Sequence, residues 1–139
     1  MQARELKLRQ LKVGTEASFE HRIVTSDVDE FARLSGDQNP LHTDRLFAQS
    51  AGFPDRVVHG AFLVALASRL IGMELPGQQS FLLSLKLDFV APSFPGDILE
   101  VLGRVQSIHP EQTVVVLRLR ISCGEELRAR GSAMVRVGH

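Results

Sequence analysis

Tryptophan and tyrosine are absent from the 139-residue chain, and Cys123 is its single cysteine. One thiol cannot form an intrachain disulfide, so packing and hydrogen bonds must hold the fold, and a reducing, cytoplasmic setting is expected. Cys123 stands in a run of strand character and reads as a small buried hydrophobe. An excess of one charge is also missing, because 16 Lys and Arg balance 16 Asp and Glu. With no net field drawing the chain to polyanions, neither nucleic acid nor an anionic membrane is expected as a partner. The longest apolar stretch, residues 61–73, is shorter than the ~20 residues that span a bilayer, and Arg69 interrupts it. The start, Met1-Gln2-Ala3-Arg4-Glu5-Leu6, mixes charges and lacks the apolar heart of a secretory leader, so export is not expected. No Cys/His ligand cluster and no Gly-rich phosphate loop occurs, so neither a metal nor an organic cofactor is expected.

What is present suffices for one packed core: 44% of residues are apolar, and residues 1–139 read as a single domain. The pattern changes near residue 78 from helical to strand signals. In the first half, residues 17–24 could form a strand. Thr25-Ser26 followed by Asp27, Asp29 and Glu30 then offers a cap and acidic groups where a helix would start. Val28, Phe31, Ala32 and Leu34 supply its apolar side, Gly36 ends it, and Pro40 fixes a turn. Thr43-Asp44 can cap a second short helix to about Gln49, before Gly52 and Pro54 break the chain. Residues 61–73 predict a buried helix. After Gly77, strands are predicted over residues 81–90, 98–108, 113–123 and 127–137. Leu83, Leu85, Leu87 and Phe89 alternate with Ser84, Lys86 and Asp88 in the first, and Leu117, Leu119 and Ile121 alternate with Arg118 and Arg120 in the third. One apolar helix and about five half-buried antiparallel strands predict an α+β domain whose sheet wraps its apolar face round that helix.

The chemistry concentrates in Leu34-Ser35-Gly36-Asp37-Gln38-Asn39-Pro40-Leu41-His42. Here a carboxylate and an imidazole stand five residues apart in a stiff, turn-prone segment. Such a pair can hold a water, take a proton from it and return one elsewhere, work that contributes ~100- to 10,000-fold to a rate. Spacing alone leaves a second reading open, in which Asp37 and Asn39 form a turn and His42 is a surface residue. His59-Gly60 opens the apolar helix, whose first N–H groups lack intrahelical partners and could receive a substrate oxygen that becomes negative. His59 reads as a loop anchor through a hydrogen bond, and Gly60 as a hinge or a point of close approach.

These blocks, in order with Val58-His59-Gly60 and Phe89-x-x-Pro92-x-x-x-Gly96-Asp97, resemble the MaoC-like dehydratases, and among them most the (R)-specific enoyl-CoA hydratases. The similarity runs from about residue 12 to residue 137, and the S-G-D-x-N-P-L-H block is its specific element. The resemblance implies a single hot-dog domain with residues 60–73 as the central helix. It implies Asp37 and His42 as catalytic pair, Asn39 supporting their turn or a bound water, and the Gly60 N–H polarising a thioester carbonyl. Ser68 would be a polar pocket residue contacting substrate, while Arg69 and Met73 depart from the usual pattern. The implied reaction is reversible hydration of trans-2-enoyl thioesters to (R)-3-hydroxyacyl thioesters, without metal or cofactor, by at least a homodimer. The implied partner is an acyl thioester of coenzyme A or of an acyl carrier protein, with Arg45, Arg56, Arg69 and Lys86 as candidates for coenzyme A phosphates. Alternatives are a 3-hydroxyacyl-[acyl-carrier-protein] dehydratase with the same residues, a hot-dog thioesterase, and a non-catalytic acyl-binding domain. The thioesterase is disfavoured because residues 61–73 contain no Asp or Glu.

Overall fold

The computed structural model describes residues 2–138. Strand β1 (Glu16–Arg22) leads into α1 (Thr25–Ser35), α2 (Pro40–Thr43), α3 (Arg45–Ser50) and the central helix α4 (Gly60–Met73). Strands β2 (Ser80–Phe89), β3 (Ile98–His109), β4 (Val114–Cys123) and β5 (Glu126–Val137) follow. All five strands join one antiparallel sheet in the order β1-β3-β4-β5-β2, which leaves β1 and β2 as its two edges.

The reason for this wrap lies in the period of each segment. Leu63, Leu66, Ala67, Leu70 and Ile71 bury one broad stripe of α4, at the three- and four-residue spacing of a helix face. The alternating residues Leu99, Val101 and Val105 of β3, Leu117, Leu119 and Ile121 of β4, and Ala129, Ala133 and Val135 of β5 meet that stripe and are fully buried. Each large aliphatic side chain removed from water contributes roughly 1.5–3 kcal/mol, so this layer dominates the stability of the sheet. Gly103 sits at the closest approach: a Cβ there would come 2.5 Å from Leu70 Cδ2.

The predicted α+β architecture is present, with three local corrections. The first helix is capped by the Asp27 carboxylate, which accepts the Val24 N–H at 3.0 Å, and not by Thr25 or Ser26. Residues 40–43 form a helical turn of their own, because Pro40 at its start needs no N–H partner and Asn39 Oδ1 accepts the Leu41 N–H. In β2 the alternation is broken between Leu82 and Ser84, where the pairing with β5 shifts by one residue. Leu83 therefore leaves the inner face, and only Leu85 and Leu87 of its predicted row pack toward the core.

Candidate active site

Three segments converge at the start of α4, and each arrives by a local rule. Gly36 closes α1 in the left-handed conformation, φ +80°, which a glycine adopts freely. The chain then folds on its own side chains: Ser35 Oγ accepts from Asp37 N at 3.1 Å, and Asp37 Oδ1 accepts from Asn39 N at 3.2 Å. These short Asx-type turns leave Asp37 Oδ2 free to face His42. His42 stands in α2, and its ring nitrogen Nδ1 donates to the Val57 carbonyl at 2.6 Å. Because a carbonyl only accepts, Nδ1 carries the hydrogen, and Nε2 is left with a lone pair in the neutral ring.

Asp37 Oδ2 and His42 Nε2 lie 3.7 Å apart, with side chains 53% and 15% exposed. That separation is too long for a direct hydrogen bond and suits one water donating to both atoms. The spacing argument therefore correctly brought together its two residues. His59 completes the cluster from below. It is 2% exposed, its Nε2–H donates to the Asp37 carbonyl at 3.0 Å, and its ring stacks on His42 at 3.8 Å and lies 4.9 Å from the tilted ring of Phe31. His59 thus anchors the Asp37 turn and fixes the plane of His42.

The donor atoms of Asp37, His42 and His59 lie within 4.8 Å of one another, close enough to gather round a cation. The two rings lie only 22° from parallel, so their in-plane lone pairs run side by side instead of converging. Each ring has one nitrogen held by a carbonyl, which leaves one lone pair per ring. The geometry suits proton exchange better than ligation.

His42 and Gly60 line the same open cleft of about 360 Å³, with Leu63, Phe89 and the loop from Val90 to Ser93 forming its apolar walls. Gly60 is the first residue of α4, so its N–H has no intrahelical acceptor. A side chain there would collide with Phe89, since a Cβ would stand 3.0 Å from Phe89 Cζ. Gly60→Ala will therefore push the aromatic wall outward by a few tenths of an ångström and lower kcat/KM by less than the ~100-fold that a 1 Å misplacement can cost. Steady-state turnover with an unchanged unfolding profile checks this.

The remaining predicted residues separate. Asn39 supports the turn, its Oδ1 held by the Leu41 N–H. Ser68 is exposed two turns along α4 and does not line the cleft. Arg56 is committed to the fold through Asp29 at 2.6 Å, and Arg69 lies 4.1 Å over the Phe19 ring. Arg45 stands 3.8 Å from Asp55, and Lys86 lies exposed 3.9 Å from Asp88.

Sequence reasoning missed the groups that brace the cleft. Val58 N donates to the Ser93 carbonyl at 2.8 Å, tying the His59 loop to the opposite wall. That wall is clamped by Arg128, whose Nη1 reaches Asp97 Oδ2 at 2.6 Å, the Pro92 carbonyl at 3.0 Å and Ser93 Oγ at 3.2 Å. Its Nε lies 2.6 Å from Glu126 Oε1 without the alignment of a hydrogen bond. Burial works against the Arg128 charge, but the hydrogen bond and charge of Asp97 outweigh it and hold the guanidinium above its ordinary range. No spacing signal links residues 97 and 128, so only the folded sheet reveals the clamp.

Comparison with known proteins agrees with this architecture. The (R)-specific enoyl-CoA hydratase of Aeromonas caviae is 35% identical over 133 residues, covering 95% of this chain and 99% of that protein. A 3-hydroxybutyryl-CoA dehydratase of Methylorubrum extorquens is 37% identical over 96% of this chain and 85% of its own. The unliganded R-hydratase of Pseudomonas aeruginosa superimposes with a TM-score of 0.95 at 30% identity, covering all of this chain and 90% of that one. A family model described as the MaoC-like domain matches residues 8–122. The turn that presents Asp37 and His42 beside the start of a sheathed central helix is thus set in a chain that belongs to the MaoC-like dehydratase family.

Proposed function

We propose that the chain catalyses reversible addition of water to trans-2-enoyl thioesters, giving (R)-3-hydroxyacyl thioesters. The observation that carries this reading is that His42 Nε2, with its lone pair 3.7 Å from Asp37 Oδ2, lines one cleft with the free N–H of Gly60. A water held between the two acceptors points its oxygen lone pair at the alkene. As the Cβ–O bond forms, the π electrons move onto the thioester oxygen, where the Gly60 N–H and the positive end of α4 stabilise them. The Asp37/His42 pair takes one proton from the water and gives one to Cα, so the enzyme ends as it began. Relatives named for both the hydration and the dehydration support a reversible reaction.

The test is loss of the conjugated enoyl absorbance of crotonyl-CoA on adding the protein, followed by chiral analysis of the product. Formation of the (R) product bears the proposal out. No loss with crotonyl-CoA, longer enoyl-CoA or crotonyl-carrier protein would end it.

The functional unit is proposed to be a homodimer. Only one side of β2 is paired, and the described residues leave Phe81 (64%), Leu82, Leu83 and Phe89 exposed along it. An unpaired apolar edge of this length invites a second strand. Ala61, Ala65 and Ser68 share an exposed face of α4, and Ser68 would meet substrate where a second copy roofs that face. Light scattering is expected to give twice the chain mass, and Leu83→Lys is expected to shift the protein toward monomer. A monomeric wild type would dispose of this reading. No helix among the described residues is long and apolar enough to cross a membrane, and a cytoplasmic setting is proposed from the single thiol.

A further inference from the structure

We propose that the face of the sheet turned away from α4 carries a second site, which binds a condensed phosphate, meaning a group of two or more linked phosphoryl units. Strand register builds it. One row across the sheet runs Arg104, Arg118, Ser132, Lys86, and the next runs Leu102, Arg120, Arg130, Asp88. Leu117, Leu119 and Ile121 alternate with the two arginines of β4 and are buried against the core, so Arg118 and Arg120 must project outward. Arg130 stands directly opposite Arg120 on β5.

Arg118, Arg120, Arg130 and Lys86 line an open hollow of about 470 Å³ that contains one carboxylate, Asp88. Asp88 is 3.9 Å from Lys86, and Arg104 is paired with Glu16 at 3.4 Å. The other three guanidinium groups have no carboxylate in ion-pair reach among the described residues. Like charges facing one another across a ladder destabilise a sheet. A chain with as many acidic as basic residues has the means to intersperse them, yet here it segregates cations around a concavity. A bound anion reverses that repulsion, so occupation of the hollow would stabilise the fold.

The chemistry of the lining selects the anion. Each guanidinium is a planar fork matched to two oxygens, so three forks are filled without sharing by six terminal oxygens, the number that two linked phosphoryl units carry. An acidic protein surface would need an apolar centre to bury, whereas arginine occupies the middle of this patch. A nucleic acid would need a track of free cations that continues beyond the hollow, whereas one row ends at Leu102 and the other at Arg104, which is paired with Glu16. The core layer under β4 separates the hollow from the cleft of His42 and Gly60, and the two share no lining residue, so the two sites are distinct.

Thermal unfolding of the whole protein, at constant ionic strength, tests this with sodium pyrophosphate, ADP and sodium sulfate. Pyrophosphate is expected to raise the Tm by about 3 °C or more when saturating, with sulfate inert. The doubly substituted protein Arg120→Gln, Arg130→Gln is expected to lose that shift while keeping wild-type hydration of crotonyl-CoA and a starting Tm no lower than wild type. An ADP shift equal to that of pyrophosphate supports the proposal and assigns a nucleoside diphosphate as the source, and a pyrophosphate shift alone supports it with the inorganic ion. An equal shift from sulfate, survival of the pyrophosphate shift in the double variant, or no shift in the wild type overturns the site.

Discussion

Asp37→Asn will lower the rate of crotonyl-CoA hydration at least ~100-fold while leaving the fold intact, and His42→Ala will do the same. The asparagine keeps the oxygen that accepts the Asn39 N–H, so the turn survives and only the negative acceptor facing His42 Nε2 is lost. Removing the imidazole instead leaves the Val57 carbonyl without its donor, but that carbonyl stands beside an open cleft and can turn to water. Two residues that share one water work as a unit, so on the proposed mechanism the double variant should be little slower than either single one. Initial rates from enoyl absorbance, with circular dichroism as the check on folding, decide the matter. Variants that retain a tenth or more of wild-type activity would move the chemistry elsewhere in the cleft.

Much of this site could be read in the sequence, and the parts that could not share a physical cause. The helix stripe of residues 63–71 and the alternation of Leu117, Leu119 and Ile121 are periodic signals, and the sheet wrapped on α4 follows from them. The Asp37/His42 pair was legible because Gly36, Asn39 and Pro40 encode a turn in adjacent residues. The β2 bulge was not, because the residue at which pairing slips depends on how β5 seats against the core, and Leu83 is as apolar as its neighbours. The partner that orients His42 is a backbone carbonyl, which every residue type possesses, so no choice of side chain at Val57 could announce it. His59 is an intermediate case. Its type suggested an anchor, but the stack on His42 requires two loops to meet, and only the closed fold supplies that.

The clamp on the cleft wall leads to the second large effect, one on stability and catalysis together. Arg128→Ala will leave Asp97 as a partly buried carboxylate with its guanidinium removed, at a cost of ~3 kcal/mol, the low end for breaking a buried pair because Asp97 keeps some contact with solvent. Asp97 Oδ2 also accepts the Phe94 N–H at 2.9 Å, so the loop loses definition as well as charge balance. In that loop the Ser93 carbonyl accepts the Val58 N–H, and the carbonyl of the adjacent Val57 holds His42. Loosening Arg128 therefore reaches the imidazole through two backbone hydrogen bonds, and kcat should fall even in the fraction that remains folded. Urea unfolding measures the first effect, and turnover per folded molecule at low temperature measures the second. Arg128→Met combined with Asp97→Leu should recover stability, since an apolar pair of similar volume leaves no orphaned charge. It should not recover full turnover, because neither side chain can hold the Pro92 carbonyl or Ser93 Oγ. Recovery of both together would reduce the clamp to packing alone, whereas recovery of stability without turnover identifies Arg128 as the residue that positions the wall of the cleft.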